Sequence, residues 1–209
     1  MSRTFRHWTP AYLTNRLRER FYRQMHPGLP WLSPQAIQFL AQHLQSTDVG
    51  LEFGSGRSTL WFTRRVSFLT SVEHNPEWHR RIKGMAIRAG ADNLECLLVL
   101  KEDDEMSRSP AYARVAERFV DGSLDFILVD GIYRDYCANA SIGKLRAGGL
   151  LILDDAHRYL PSASTSPYAL TLEQEPASPG WAHFLANVNT WRCQWTSNGV
   201  SDTVIYLKP

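Results

Sequence analysis

One short stretch, residues 48–59, constrains the fold of this chain more than any other. It reads DVGLEFGSGRST, an apolar run around Glu52 followed by a turn that contains Gly54 and Gly56. The apolar run predicts a buried strand, and the glycines predict a tight turn into a helix. Glycine permits positive φ and lets a ligand approach the backbone, but it also serves simple packing. The turn is therefore either a ligand site or a packing turn.

The rest of the sequence repeats this strand, turn and helix pattern. Strands that alternate with helices form a parallel, doubly wound sheet. The last two predicted strands flank Asn198 and Gly199, which predicts an antiparallel closing pair. The predicted strands are residues 50–53, 68–73, 94–100, 124–129, 150–153, 190–195 and 203–207, and the helices between them are residues 58–65, 76–88, 111–119 and 133–145.

Two further helices are predicted before the first strand, at residues 10–25 and from Pro34 to Leu44. The first has apolar residues close to helical spacing, and the second begins with Ser33 as an N-cap and Pro34 in the first turn. We expect these helices to lie across the cleft or to cover one side of the sheet. This predicts an N-terminal helical cap, residues 1–46, on a single globular unit, residues 47–209.

Composition limits the classes of partner. The chain has 209 residues, 44% hydrophobic and 21% charged, which is typical of a soluble globular protein. A net charge of +2 gives no strong argument for nucleic acid, although six arginines between Met1 and His26 form either a basic arm or a solvated helix face. No segment reaches membrane-spanning length, and three widely spaced cysteines favour a cytoplasmic location.

Acidic residues end four of the predicted parallel strands. Because the carboxyl ends of parallel strands meet at one edge of the sheet, these acids are expected to form one rim around a ligand site. An acid at the end of the second strand, roughly 20 residues after a glycine turn, suits the two hydroxyls of a ribose. The acids are Glu52, Glu73, Asp130, Asp154 and Asp155.

With these residues the chain resembles the class I S-adenosylmethionine-dependent methyltransferases. The first motif of that family matches Glu52-Phe53-Gly54-Ser55-Gly56, with Ser58 at its third small position. Its strand-two and strand-four acids match Glu73 and Asp130. The resemblance implies a seven-stranded, mostly parallel Rossmann-like sheet with an antiparallel C-terminal hairpin. It also implies S-adenosylmethionine as cofactor, bound by Glu52, Gly54, Ser55, Gly56, Ser58, Thr59, Glu73, His74 and Asp130.

Metal-dependent O-methyltransferases of this family hold Mg²⁺ with acids after strands four and five. The resemblance therefore implies a Mg²⁺ site formed by Asp130, Asp154 and Asp155, and oxygen ligands suit this hard cation. In the alternative reading Asp155 caps a helix and no metal binds. We predict catalytic roles for Asp130 and for His157, the latter as a general base, unless it is a fourth metal ligand or an ordinary loop residue.

Three other polar side chains near these acids admit more than one role. Tyr133 is an alternative base if no metal binds. Arg134 and Arg158 each follow one of the acids, and either hold an anionic substrate or balance the acidic rim.

The function predicted from the resemblance is methyl transfer to a small molecule, chiefly O-methylation. We expect a small-molecule acceptor, no nucleic acid and no membrane, and the oligomeric state stays open, with a homodimer as one possibility. Two alternatives stay open: a nicotinamide-dependent oxidoreductase, and a non-catalytic or diverged nucleotide-binding protein. The Pro- and Ser-rich residues 160–180 are either a lid over the site or a connector.

Overall fold

The structure, a computed structural model, describes residues 9–102 and 109–209. Residues Arg3 and Arg6 of the basic N-terminal stretch, and most of the polar segment after Lys101, lie outside this range. The helices are α1 (Pro10–Met25), α2 (Pro34–His43), α3 (Arg57–Thr63), α4 (Pro76–Arg88), α5 (Ala111–Arg114), α6 (Arg134–Ser141) and α7 (Pro179–Val188). The strands are β1 (Val49–Phe53), β2 (Phe68–Glu73), β3 (Leu94–Leu98), β4 (Leu124–Val129), β5 (Leu145–Asp154), β6 (Arg192–Ser197) and β7 (Asp202–Leu207).

The strands form a seven-stranded sheet in the order β3-β2-β1-β4-β5-β7-β6 within the described part of the chain. Strands β1 to β5 are parallel, and β7 is antiparallel to both β5 and β6. The predicted fold is therefore confirmed, including its closing hairpin. The order reverses beside β1 and β4, and their carboxyl ends flank the crevice where such sheets bind ligands.

Both faces of the sheet are covered by helices because the strand side chains alternate between two cores. In β4, Ile127 and Val129 pack into the core beneath α5, α6 and α7, whereas Phe126 and Leu128 pack into the core beneath α2 and α3. Burial on both faces explains why the central strands are continuous apolar runs in the sequence.

The two N-terminal helices have different roles in packing. Helix α2 buries Ala36, Ile37 and Leu40 in the second core. Helix α1 contributes only Glu19 to the interior, and its predicted apolar stripe faces solvent. The periodicity thus predicted the helix correctly, although the apolar residues that carry it are not buried. The side chains of that stripe are 43–68% exposed: Leu13, Leu17, Phe21 and Met25.

Helix α7 was not predicted from the sequence. Ser178 caps it by accepting a hydrogen bond from the Trp181 N–H, with Pro179 in the first turn. This is the same signature that predicted α2, where Ser33 accepts from Ala36 N–H before Pro34. The irregular composition of residues 160–180 concealed it.

The boundaries of other elements also differ from the prediction. Strand β5 begins at Leu145, so the predicted helix before it ends early, at Ser141. The predicted helix 111–119 is a short α5 continued by a 3-10 turn, Val115–Arg118. None of the described helices is both long and apolar enough to cross a membrane.

Candidate active site at the carboxyl edge of the sheet

A cavity of about 670 Å³ opens where β1, β2 and β4 end. This volume is typical of small-molecule sites. The wall also contains residues that the sequence did not single out, among them Trp31, Arg57, Trp78 and Arg81. Seven predicted cofactor residues line it: Gly54, Ser55, Gly56, Ser58, Glu73, His74 and Asp130.

The two glycines of the turn are needed for different reasons. Gly54 has φ of +100°, and a Cβ there would come within 2.7 Å of the backbone of Asp130 and Gly131. Gly54 therefore lets the end of β1 lie against the end of β4. At Gly56 a Cβ would meet nothing closer than the Ser58 hydroxyl at 3.7 Å, although Gly56 lines the cavity. The absence of a side chain at Gly56 keeps that cavity space free.

Glu52 and Thr59 lie behind this loop rather than in the wall of the cavity. Glu52 is fully buried, and its Oε2 accepts hydrogen bonds of 2.5 Å from the hydroxyls of Thr59 and Ser71. Thr59 Oγ1 also accepts from the Gly56 N–H at 2.8 Å. Burial raises the pKa of Glu52 from an ordinary 4.5 to about 7, against the lowering effect of its hydroxyl partners. Through the Thr59 hydroxyl, Glu52 therefore holds the glycine loop in place from the buried side.

Glu73 ends β2 with one carboxylate oxygen occupied by the chain. Its Oε1 accepts from the backbone N–H groups of His74 and Asn75, both at 2.8 Å, and His74 Nδ1 lies 2.9 Å from the same atom. Within the described ranges, Oε2 accepts no hydrogen bond. Trp78, in the first turn of α4, donates from Nε1 to the Ser55 carbonyl at 2.7 Å and so ties α4 to the glycine loop.

Asp130 lies in the wall of the cavity at the end of β4 and pairs with Arg134. The Arg134 Nη2 donates to Asp130 Oδ1 at 2.8 Å, and its other nitrogens donate to the carbonyls of Gly131 and Asp154. Burial raises the pKa of Asp130 to about 6, although the charge of Arg134 opposes this. The prediction that Arg134 balances the acidic rim fits these contacts better than a role in holding substrate.

The described residues do not assemble the predicted Mg²⁺ site. Nowhere in ranges 9–102 and 109–209 do three His, Cys, Asp or Glu side chains surround a position for one ion. Asp130 faces Arg134, while buried Asp154 accepts from the Thr203 hydroxyl at 2.8 Å. Burial and the neighbouring charges of Asp130 and Asp155 raise the pKa of Asp154 well above its usual value.

Asp155, the third predicted metal ligand, has left-handed backbone geometry with φ of 54°. The nearest cation is Arg158, whose Nη1 lies 3.7 Å from Asp155 Oδ2. Two arginines, Arg134 and Arg158, therefore reduce the repulsion between the carboxylates at this edge. Burial of Asp154 reduces it further, because burial favours the neutral form of that group. In the described residues it is therefore the arrangement of these carboxylates, not their chemistry, that does not form a magnesium site.

His157 does not reach the cavity, contrary to its predicted role as a base. It is fully buried, and its Nδ1 accepts from the Asp202 N–H at 3.2 Å. Residues 160–178 fold over it, with the Leu170 N–H donating to the His157 carbonyl at 2.9 Å. Burial lowers the pKa of His157. The position of the ring points to a structural role beneath this segment, and whether the segment moves stays a prediction.

Tyr133, the alternative base, is partly buried and its hydroxyl donates to the Glu102 carbonyl at 3.0 Å. It lines a second cavity, of about 510 Å³, with Arg134 and Tyr159. That cavity shares Gly131 and Ile132 with the first one. Tyr133 is thus a neighbour of the main cavity rather than part of its wall.

Comparison with known proteins identifies the fold but not a close relative. No protein-family model and no curated protein matches the sequence. Many solved structures match in three dimensions. One is described as a putative methyltransferase from Streptococcus mutans in complex with SAH (S-adenosylhomocysteine). It has TM-score 0.53 and 9% identity, over 82% of this chain and 94% of that chain.

Two further similar structures differ in the acceptor that their descriptions name. A precorrin-6y C5,15-methyltransferase from Geobacter metallireducens has TM-score 0.52 and 15% identity, over 84% of this chain and 87% of that one. A putative rRNA-methylase from Clostridium thermocellum has TM-score 0.58 and 9% identity, over 84% of this chain and 94% of that one. At these identities the similarity establishes the fold alone. The chain has the class I S-adenosylmethionine-dependent methyltransferase fold.

Proposed function

We propose that this protein is an S-adenosylmethionine-dependent methyltransferase that acts on a small molecule, chiefly by O-methylation. The observation that carries the proposal is the pairing of Gly56 and Glu73 across one cavity. Gly56 leaves space for a ligand beside the backbone, and Glu73 offers a carboxylate oxygen without a partner in the described chain.

The residues of the cavity fit this cofactor. Glu73 Oε2 can accept from the ribose hydroxyls, as the acid after the second strand does in dinucleotide-binding sheets. The loop Gly54 to Gly56, with Ser58 and His74 beside it, would contact the rest of the nucleoside and the amino acid part. Asp130, at the end of β4, also lies in the wall of the cavity. The cofactor, when bound, supplies an electrophilic methyl group on a sulfonium.

Asp130 is the proposed base for an acceptor hydroxyl. Its carboxylate lines the cavity, and a pKa of about 6 leaves it mostly ionised at neutral pH yet more basic than an ordinary aspartate. The rigid contacts of Arg134 with Asp130 and with the backbone fix the direction of the carboxylate. Orientation of this kind contributes much of the rate of a bimolecular transfer.

The sheet order weighs against a nicotinamide-dependent oxidoreductase. Dinucleotide-binding domains usually have the order 3-2-1-4-5-6 with parallel strands, whereas here antiparallel β7 lies between β5 and β6. Thr59 also stands where the dinucleotide motif has its last glycine. A non-catalytic nucleotide-binding protein is the remaining alternative.

Three free cysteines, one of them exposed, are the basis for proposing a cytoplasmic location.

Calorimetry separates these functions. The proposal expects one molecule of S-adenosylmethionine or SAH to bind per chain, with no heat from NAD⁺ at the same concentration. Binding of NAD⁺ alone would favour the oxidoreductase, and binding of neither would refute both enzymes. With binding established, Asp130→Asn should retain SAH affinity within a few fold yet abolish methyl transfer, which separates an enzyme from a non-catalytic binder.

A further inference from the structure

A third cavity, distinct from the one lined by Tyr133 and also of about 510 Å³, lies under α1 next to the cofactor cavity. We call it the arginine cavity, because its wall contains Arg16, Arg20, Arg23 and Arg57. It shares Trp31 and Arg57 with the cofactor cavity, so the two spaces are contiguous at these residues.

The arginine cavity has more positive than negative charge. Among the residues that the structure describes, Glu19 is the one carboxylate in its wall, and it is already paired with Arg16 and Arg23. Arg20 and Arg57 form no ion pair or hydrogen bond with any residue that the structure describes. Arginine is always charged at neutral pH, so four arginines and one carboxylate leave the described wall with a net positive charge that a bound anion would offset.

Trp31 contacts two of the guanidinium groups that line this space. The Cζ atom of Arg23 lies 5.1 Å from the centre of the Trp31 ring, and that of Arg57 lies 5.3 Å from it. Contacts of this length are cation–π interactions, which fix a guanidinium without neutralising it. The planar donor fork of each arginine remains suited to a phosphate or carboxylate.

The cavity is electrostatically connected to Asp130. The charge of Arg23 contributes to lowering the pKa of that carboxylate, though less than burial raises it. A molecule that spans the shared wall at Trp31 and Arg57 would therefore have one end among the arginines and the other near Asp130.

We propose that the arginine cavity binds the anionic group, a phosphate, sulfate or carboxylate, of a small methyl acceptor. The inference rests on the proposed function, since it assigns the acceptor of that reaction. Its volume is in the range of small-molecule sites, and its guanidinium donors suit an oxyanion. The nucleophile of the acceptor then lies toward Asp130 and the cofactor cavity.

The experiment titrates potassium phosphate, sodium sulfate and sodium acetate into the full chain saturated with SAH, with ionic strength held constant by KCl. We expect one oxyanion to bind per chain. Arg20→Gln and Arg57→Gln should each weaken binding at least about tenfold, the usual effect of losing one charge-assisted hydrogen bond. Arg88→Gln, an exposed arginine on α4 outside both cavities, is the matched control and should bind as the wild type does.

The three anions distinguish the acceptor chemistry. Preference for phosphate and sulfate over acetate indicates a phosphorylated or sulfated acceptor, and the reverse indicates a carboxylic acid. No heat beyond KCl in the wild type, or equal binding by all four proteins, would overturn the proposal. Circular dichroism of each variant confirms that it is folded.

Two further outcomes identify what the arginines bind instead. If Arg20→Gln loses SAH affinity together with phosphate, the arginines hold the cofactor carboxylate, and the proposal fails. A second result is that the small anions do not bind, whereas a ten-nucleotide RNA binds the wild type and loses affinity in Arg20→Gln and Arg57→Gln. The surface would then bind a polyanion, and the proposal of a small anionic acceptor would be refuted. If phosphate binds to the chain but SAH does not, the result supports the anion site and contradicts the proposed function.

Discussion

Arg134 reaches the Asp130 carboxylate at 2.8 Å and holds it at the edge of the cavity. The same guanidinium donates to the backbone carbonyl of Asp154, so it joins the ends of β4 and β5. These are the two strand ends that the resemblance to metal-dependent enzymes assigned to Mg²⁺. A guanidinium therefore supplies the positive charge that the three acids were expected to obtain from a cation.

The first prediction concerns Mg²⁺. Because Arg134 engages Asp130 and Thr203 engages Asp154, MgCl₂ should not raise the melting temperature beyond an NaCl control of equal ionic strength. SAH affinity should be the same in EDTA and in MgCl₂. A melting temperature that climbs with Mg²⁺ concentration, as linkage requires for a specific site, would restore the metal hypothesis.

The second prediction concerns Glu73→Gln. The amide oxygen can still accept from the N–H groups of His74 and Asn75, but the amide nitrogen replaces the free carboxylate oxygen and cannot accept from a ribose. Loss of hydrogen bonds to a charged acceptor typically costs about 1.5–3 kcal/mol, or roughly ten- to a hundredfold in SAH affinity by calorimetry. Glu77→Gln, an exposed acid on α4, is the control. Equal affinity in a folded Glu73→Gln protein would remove Glu73 from the site.

The third prediction separates the two glycines. Gly54→Ala should lower the free energy of unfolding by more than about 2 kcal/mol, because positive φ and contact with the Asp130 backbone both oppose a side chain. Gly56→Ala should unfold close to the wild type but bind SAH at least about tenfold more weakly, since its methyl group occupies cavity space. Urea denaturation and calorimetry measure the two effects. A Gly56→Ala protein with full affinity would contradict the proposed cofactor pose.

The fourth prediction concerns pH and the buried Glu52. Its pKa is about 7 in the folded chain against 4.5 ordinarily, so the folded state binds more protons than the unfolded state between these values. The stability that this provides is present below pH 4.5 and is lost as pH rises to about 7. Between pH 4.5 and about pH 7, the free energy of unfolding of the wild type should therefore fall by roughly 3 kcal/mol relative to that of Glu52→Gln.

Urea denaturation at several pH values tests this prediction. The comparison with Glu52→Gln isolates Glu52, because all other titrating groups are common to both proteins. A difference that stays constant from pH 4.5 to pH 7.5 would mean that Glu52 has an ordinary pKa and lies in a more polar place than the structure shows.

Much of the architecture could be predicted from local patterns. Alternating apolar strands and periodic helices required a doubly wound sheet, and the Asn198-Gly199 turn required an antiparallel hairpin. The acids at the strand ends were expected at one edge, because backbone direction alone places them there. The N-cap and proline signature also marked α7 at Ser178, but the irregular residues before it obscured the helix.

The site was predicted in part. Glu73, His74 and Asp130 lie in the cavity wall, whereas Glu52, Thr59 and His157 are buried away from it. No local signal distinguishes the two groups. An acid at the tip of a strand can turn toward the ligand or beneath the loop, and the choice depends on partners such as Ser71 and Thr59. Their binding roles remain predictions for the experiments above.

The sequence by itself determined the order of the strands and of helices α1 to α6, the glycine turn and the edge at which ligands bind, because these depend on residues close together in the chain. Only the tertiary structure decided which charges face each other. It set Arg134 against Asp130, buried Asp154 beside Thr203, and brought Trp31 to Arg57 in the wall that two cavities share. It also left the apolar stripe of α1 in solvent. Such pairings depend on packing and desolvation between segments far apart in sequence, which no periodicity records.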